Sequence, residues 1–478
     1  MLEITKEELE KLLRHHKGNL TQTAANLGIA RSTLTGHVER KGIDIEAIKR
    51  ETEDAKPEDV RIEKVEVEVT PQQIVQAEGR AARAEQKAAR MQKTWKELVR
   101  RADMTDQMIQ SITPLLSDIR LPAIEPPSVD PRERSPITLK PVANDWHCGK
   151  VFDSDMINGI NAYSPNIMAR RVQKYSDVIA AWVSNYQNMG HTVERIIVPA
   201  IGDLVNGELH PEDESNYAGP MTQVVDLSLV FAQFIWEIAH LVPKLDIIWP
   251  AGDNHSRLTR YSATSAKAYQ TTLNTVIGHM VSLMLAEVKH VNIHVAHQHQ
   301  VYYQVYDKTW GACHGNMLKG GGGQLGIPAY GMRRHHDGNI ATSVILAKQT
   351  MKELSLEKNM SVDDRMTAMY DALSGLVDHT LIGHFHQRSV LEFAHGDVHV
   401  MPALMGSDPF AVDALRKPGS APRQVMYACH PRHDIIGEHV VEMSEFKDLN
   451  VSSRYNWGIS DTSIDNMNEM WRGFVDNR

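Results

Sequence analysis

The chain has 478 residues, 42% hydrophobic and 23% charged, with a net charge of −9 at neutral pH. That length suits roughly two to four domains, and the composition is that of a globular chain rather than a disordered or fibrous one. The negative balance excludes a uniformly basic nucleic-acid glove and leaves only a local basic patch, and no run of about 18 apolar residues predicts a membrane span.

The three cysteines, Cys148, Cys313 and Cys429, are far apart and odd in number, so neither a disulfide framework nor a zinc knuckle is expected. The opening MLEITKEELEKLL is acidic and amphipathic, unlike a secretion signal. The expected location is a reducing cytoplasm, that of a bacterium or a phage-infected host.

Residues 1–48 predict three short helices. Leu9, Leu12 and Leu13 share one face of the first, which Gly18 and Asn19 end. Thr21 is placed to cap a second helix running to Leu27, Gly28 supplies a turn, and a third runs from Arg31 to Lys41. Ala24, Ala25, Leu27, Ile29, Leu34 and Val38 form the expected core. Two helices about a glycine turn, the second carrying Arg31, Ser32, Thr33, Thr35, His37 and Arg40, have the layout of a helix-turn-helix DNA reader. Gly18, Asn19, Ala24, Ala25, Leu27, Gly28, Arg31, Thr33 and Leu34 match a pattern that resembles the Fis-type helix-turn-helix. The resemblance implies a final helix in the DNA major groove. The alternative is a small protein–protein module.

Residues 49–70 read as a charged linker, in which RIEKVEVEV alternates like a short strand. Thr70 and Pro71 open a long helix over 71–114, within a segment extending to residue 120. Its small and apolar residues repeat as heptads from Ile74 to Ile112, interrupted at Thr105, and predict a weak, alanine-rich homodimer seam, with phosphate contact through its basic side chains or packing on the main domain as alternatives. A proline-rich break over 121–136 precedes the main domain, 137–446, where apolar strands alternate with helices such as 168–186, 227–241 and 269–288. This is α/β layering, whose ligands gather at the carboxyl ends of strands. A polar tail, 447–478, contains one candidate docking helix around Met467 and Trp471.

Five polar clusters follow the apolar strands: NDWHCG, IGDLVNG, GDNHSR, GACHGN and LIGHFHQ. They supply Asp145, His147, Asp203, Asn206, Asn254, His255, Arg257, His314, His384 and His386, in clusters about 50–70 residues apart. The pairs Asp145/His147 and His384/His386 stand at i and i+2, which places both donors on one side of an extended segment. Mixed oxygen and imidazole donors suit Mn²⁺, with Fe or Zn²⁺ as alternatives, and seven ligands suit two ions rather than one. Two such ions are an established device for phosphate ester hydrolysis, activating the attacking water and neutralising phosphoryl oxygens. His335, His336, His297 and His299 lack this spacing and are expected at the surface. Cys148 and Cys313 are expected as buried fillers.

In order and spacing these clusters resemble the calcineurin-like metallophosphoesterase superfamily over about 240 residues, Asp145 to His386. The resemblance implies a two-sheet α/β sandwich. It also implies one metal held by Asp145, His147, Asp203 and His386, and a second held by Asp203, Asn254, His314 and His384. His255 would sit beside the scissile phosphate, with Arg257 and Asn206 as substrate contacts. Joined to a DNA-binding module, the analogy is to the Mre11-like nuclease branch and to a DNA-directed phosphodiesterase of phage or bacterial type. Two alternatives stand: a phosphomonoesterase or small-nucleotide phosphodiesterase, and a DNA-binding regulator in which the phosphoesterase domain is only a scaffold. GDNHSR departs from the family pattern by an inserted Asp253 and by Ser256 where an acid is usual, so the support of His255 must come from elsewhere.

Overall fold

Thr5 opens the first helix through a capping box: its hydroxyl accepts from the Glu8 N–H while the Glu8 carboxylate accepts from the Thr5 N–H. The computed structural model describes residues 5–27, 31–52, 110, 120–128, 135–210, 215–258, 272–318, 327–356, 376–414 and 420–458. Residue 110 apart, the expected 71–114 helix with its dimer seam, the strand in the linker and the docking helix near the C-terminus lie outside these residues. Two compact units are present, Met1–Ala88 and Ala89–Arg478.

Among its described residues the first unit has four helices, α1 (Lys6–His15), α2 (Leu20–Asn26), α3 (Arg31–Arg40) and α4 (Ile45–Thr52). The fourth replaces the start of the expected linker. Ile48 is buried with Leu9 and Leu13, and Arg14 of α1 pairs with Glu51 at 3.2 Å. Asn19, not Thr21, caps α2: its side chain accepts from the backbone N–H groups of Thr21 and Gln22. Ala24, Leu34 and Val38 enter the core as expected, whereas Ala25 is exposed.

The second unit is built on two sheets. One has the order β11-β10-β1-β2-β3-β4, from β1 (Ser135–Pro141), β2 (His191–Pro199), β3 (Leu245–Trp249), β4 (Val291–Val295), β10 (Arg423–His430) and β11 (Asp434–Glu442). Strands β1 to β4 are parallel, and β10 and β11 close one edge as an antiparallel hairpin. The other has the order β5-β6-β7-β9-β8, from β5 (Gln300–Val305), β6 (Lys308–Cys313), β7 (Val377–Ile382), β8 (Ser389–Glu392) and β9 (Asp397–Val400). Successive side chains go to opposite faces. Ile196 and Val198 pack under α5 (Pro165–Asn188), α6 (Pro220–Ala239) and α7 (Leu273–Met284), while Ile197 meets Trp310, Leu381 and Tyr427 between the sheets. Ile382, Val398 and Val400 face outward, with Met332 of α8 (Ala329–Leu356). The result is a four-layer arrangement in which both sheets are covered.

Helix α6 is long and apolar enough to cross a membrane by length and composition, but most of it is buried inside this unit as a core helix. The stretch 447–458, expected as polar tail, docks instead. Arg454 donates to Glu237 at 2.5 and 2.6 Å and to Asp177 at 2.8 Å, and the Tyr455 hydroxyl donates to Glu237 at 2.5 Å. Glu237 is only 3% exposed, so its charge depends on these partners. Replacing Arg454 by Met should lower unfolding free energy by about 3 kcal/mol. Adding Glu237→Gln should recover most of that loss in denaturant titration, and a double variant no more stable than the single one would refute the ion-pair account.

Candidate metal centre and nucleic-acid interface

The loops after β1, β2, β3, β6 and β7 bring their polar clusters to one end of the paired sheets. The route differs from the expected one. Asp145 and His147 are not on an extended segment; their φ angles are +50° and +47°. Asp203 (+45°), His384 (+72°) and His386 (+55°) share this left-handed backbone. Non-glycine residues seldom adopt it, and such strain concentrates at functional sites. Gly202, at φ +117°, passes so close to His314 that a Cβ there would lie 2.8 Å from Nδ1.

The donors meet in two groups that share a middle. Asp145, His147 and His386 offer one atom each within 4.8 Å of one another, as do Asp203, His314 and His384. The first pair of histidines meets nitrogen to nitrogen, Nε2 of His147 lying 3.2 Å from Nε2 of His386. In the second group His314 Nε2 is 2.9 Å from Asp203 Oδ2 and 3.0 Å from Asn254 Oδ1. Asp145 and His314 bridge the two, Oδ1 to Nδ1, at 3.9 Å.

Support comes from behind. Asn206 was expected to touch substrate, but it is 2% exposed and its groups are used inside the protein. Its side-chain oxygen accepts from His147 Nδ1 at 3.1 Å, and its backbone carbonyl accepts from His255 Nδ1 at 2.7 Å. That second bond supplies what the missing acid after His255 does not, and it turns Nε2 of His255 toward Asp203, 3.9 Å away. Asp253 has a different task from the one its position suggested. Its buried carboxylate accepts from the Asp203 N–H at 3.1 Å and from the Ser256 N–H at 2.6 Å, tying two donor loops together. Arg257 donates through Nε to the Asn254 carbonyl at 2.9 Å, steadying the turn that presents Asn254. Gln424 grips the Asn144 peptide from both sides, accepting from its N–H and donating to its carbonyl, each at 3.0 Å.

The motif pattern did not single out His210. Its ring lies 4.5 Å from that of His255, which is itself 4.7 Å from His147. His336, expected at the surface, is fully buried and stacks on Phe393. Cys148 and Cys313 are buried, and burial pushes the Cys313 thiol up to about 12, consistent with fillers rather than nucleophiles.

Burial keeps the histidine donors neutral, with His384 lowered to about 3, His386 to about 4, and His147 well below its ordinary value. His314 is the exception. Burial opposes its proton, but Asp203, Asp145 and Asp253 together raise it to about 9. Burial would also raise Asp203, yet the imidazoles of His314 and His255 hold it well below the usual carboxylate range. Asp145 is raised by burial. Two buried carboxylates thus lean on one imidazolium. Asp145 Oδ1 and His314 Nδ1 are buried without hydrogen-bond partners. Orphaned acceptor and imidazole atoms, neutral histidines and mixed oxygen and nitrogen donors are what divalent ions require.

In the first unit, Arg31, Thr33 and Arg40 are exposed along α3 and Thr35 is half-buried. His37 is a correction. It is 8% exposed, because the helical period carries it to the side of Leu34 and Val38. The placement of the Ser32 side chain lies outside the described residues.

Residues 3–36 match the bacterial regulatory protein Fis family. No curated protein sequence matches the chain. Similar solved structures include zinc-complexed Vps29 of Entamoeba histolytica, at 9% identity over 64% of this chain and 99% of that one, TM-score 0.25. An archaeal phosphodiesterase gives 12% identity over 63% and 99%, TM-score 0.25. Vacuolar protein sorting 29 of Cryptosporidium parvum gives 10% over 64% and 98%, TM-score 0.22.

Metal uptake should displace protons. The raised value of His314 means that a proton competes for its nitrogen up to about pH 9, so affinity should climb with pH and level off above that value. Calorimetry of Mn²⁺ binding at pH 7.5, in buffers of different ionisation enthalpy, should report roughly one proton released per centre. A heat independent of the buffer would contradict this protonation pattern.

Proposed function

We propose that this chain is a two-metal phosphoesterase, and that its substrate is a DNA phosphodiester. The observation that carries the first half is the convergence of Asp145, His147, Asp203, Asn254, His314, His384 and His386 from five separate loops, with His255 beside them. When bound, divalent ions would supply charge to phosphoryl oxygens and acidify a water for attack on phosphorus.

The protein's own contribution is placement and proton handling. Asp145, His147 and His386 would hold one ion, and Asn254, His314 and His384 the other, with Asp203 between them. His255 keeps its Nδ1 proton on the Asn206 carbonyl, so Nε2 is the atom that faces the reacting phosphate and moves a proton to or from it. The ring contacts with His147 and His210 fix its plane. Mn²⁺ fits this donor set, as do Fe and Zn²⁺.

The Fis-type module supports DNA as the substrate. A helix-turn-helix anchors a protein to duplex DNA through a few side chains of its last helix, and Arg31, Thr33 and Arg40 are available there. A metal-dependent hydrolase carried in the same chain would then act on the polymer at hand.

Four results should follow. Asp203→Ala should empty this centre of metal and remove all Mn²⁺-dependent DNA cleavage, whereas His255→Ala should retain its metal and lose about 10²- to 10⁴-fold in turnover. Arg40→Ala should weaken DNA binding and lower the salt slope by about one, while deletion of residues 1–48 should abolish the module's share of both. Metal-loaded protein that hydrolyses a bis-aryl phosphodiester but leaves every DNA substrate intact would move the reading to small phosphodiesters.

A further inference from the structure

A second histidine–carboxylate cluster lies between the sheets, toward the opposite end of β7 from His384 and His386. His379 of β7 is paired across the ladder with Asp397 of β9, and His399 follows Asp397 by two residues on the same face. His379 Nδ1 is 2.6 Å and His399 Nε2 is 2.9 Å from the same oxygen, Asp397 Oδ1. One donor atom from each of the three lies within 4.8 Å of the others, the same clustering as in the catalytic groups.

Each histidine is also held at its far nitrogen. His379 Nε2 is 2.9 Å from Asp434 Oδ2 of β11, and His399 Nδ1 is 3.0 Å from the Tyr427 hydroxyl of β10. An oxygen partner on the remote nitrogen is the regular setting of a metal-binding imidazole, since it fixes the tautomer and leaves the near nitrogen free to ligate. His379 and His399 are 7% and 4% exposed, so little water reaches the two imidazoles.

The charge arithmetic points the same way. Asp397 and Asp434, both only partly buried, bring two negative charges to this cluster. Of the lysines near this cluster, Lys140 is fully buried, and its Nζ lies over the Trp310 ring with no hydrogen-bond partner, while Lys308 is partly exposed and engaged with Asp378 at 3.6 Å. Burial drives the Lys140 amine well below its ordinary value, toward the neutral form. A divalent ion would balance the two carboxylates.

We propose that His379, Asp397 and His399 form a further metal site, distinct from the catalytic centre. Two imidazoles and a carboxylate are a zinc donor set, in which Asp434 and Tyr427 orient the ligands and a water completes the tetrahedron. Because the ligands come from one sheet and their supports from the other, the ion would pin the two sheets together.

The test is elemental analysis of the full chain after loading with Zn²⁺ and gel filtration. Wild type should retain three equivalents. The Asp145→Ala/Asp203→Ala variant, which takes a carboxylate from each catalytic group, should still retain one, and adding Asp397→Asn should remove it. Asp397→Asn alone should lower the wild-type count by one. Wild-type protein holding two equivalents, an Asp145→Ala/Asp203→Ala protein holding none, or a count unchanged by Asp397→Asn would overturn the site and assign the cluster to an imidazolium at His379 between two carboxylates. Should Asp397→Asn fail to fold, Zn²⁺ retention by the Asp145→Ala/Asp203→Ala variant decides alone. Failure here leaves the phosphoesterase reading intact, because cleavage depends on the other donors.

Discussion

Everything at the candidate metal centre depends on backbone held where L-residues resist going. Five donors, Asp145, His147, Asp203, His384 and His386, have φ between +45° and +72°. Such conformations cost on the order of 1–3 kcal/mol each and persist only where the surroundings over-determine them. The surroundings here are specific. Gln424 fixes the Asn144 peptide, Asn144 Nδ2 donates to Asp145 Oδ2 at 2.5 Å, and the His384 N–H donates to the same oxygen at 3.1 Å. Arg171, buried within the helical layer, donates to the carbonyls of Leu404 and Met405, and the backbone N–H groups of those two residues donate to the Asn144 and Asp145 carbonyls. The sandwich therefore serves as a frame whose buried polar side chains offset the strain of the donor loops.

The electrostatics follow from the same burial. Placing Asp145 and Asp203 together in a low-dielectric interior is unfavourable without positive charge. The protein supplies one imidazolium, His314, and presents His147, His384 and His386 as neutral rings. A site arranged this way is matched to divalent ions, since each ion replaces a proton with more charge and satisfies atoms such as Asp145 Oδ1 that hydrogen bonds leave over. Asp253 belongs to this frame. It ties the Asp203 loop to the His255 turn, which is why an inserted acid is compatible with the placement of Asn254 and His255.

Much of this was legible in the sequence, because polar clusters at the ends of apolar strands report both the α/β layering and the donors. What escaped it was whatever depends on partners distant in the chain. Asn206 looked like a substrate contact because its motif position is right, and only the fold shows its groups engaged with His147 and His255. His37 sits among polar residues of α3, but the period of the helix carries it inward. Ile45 and Ile48 signalled α4, a signal masked by the charges around them. The His379 cluster was hidden for another reason. Asp397 and His399 do alternate on a strand, yet their third member lies on a neighbouring strand, and no local spacing records that register. The left-handed donor loops, too, had no residue signature beyond their glycines.

The central claim is that five loops build one two-ion centre. Anomalous diffraction from Mn²⁺-loaded crystals tests it most directly. The account predicts two peaks at this end of the sheets, one among Asp145, His147, Asp203 and His386 and one among Asp203, Asn254, His314 and His384. Fully loaded crystals with no peak among these residues would contradict it.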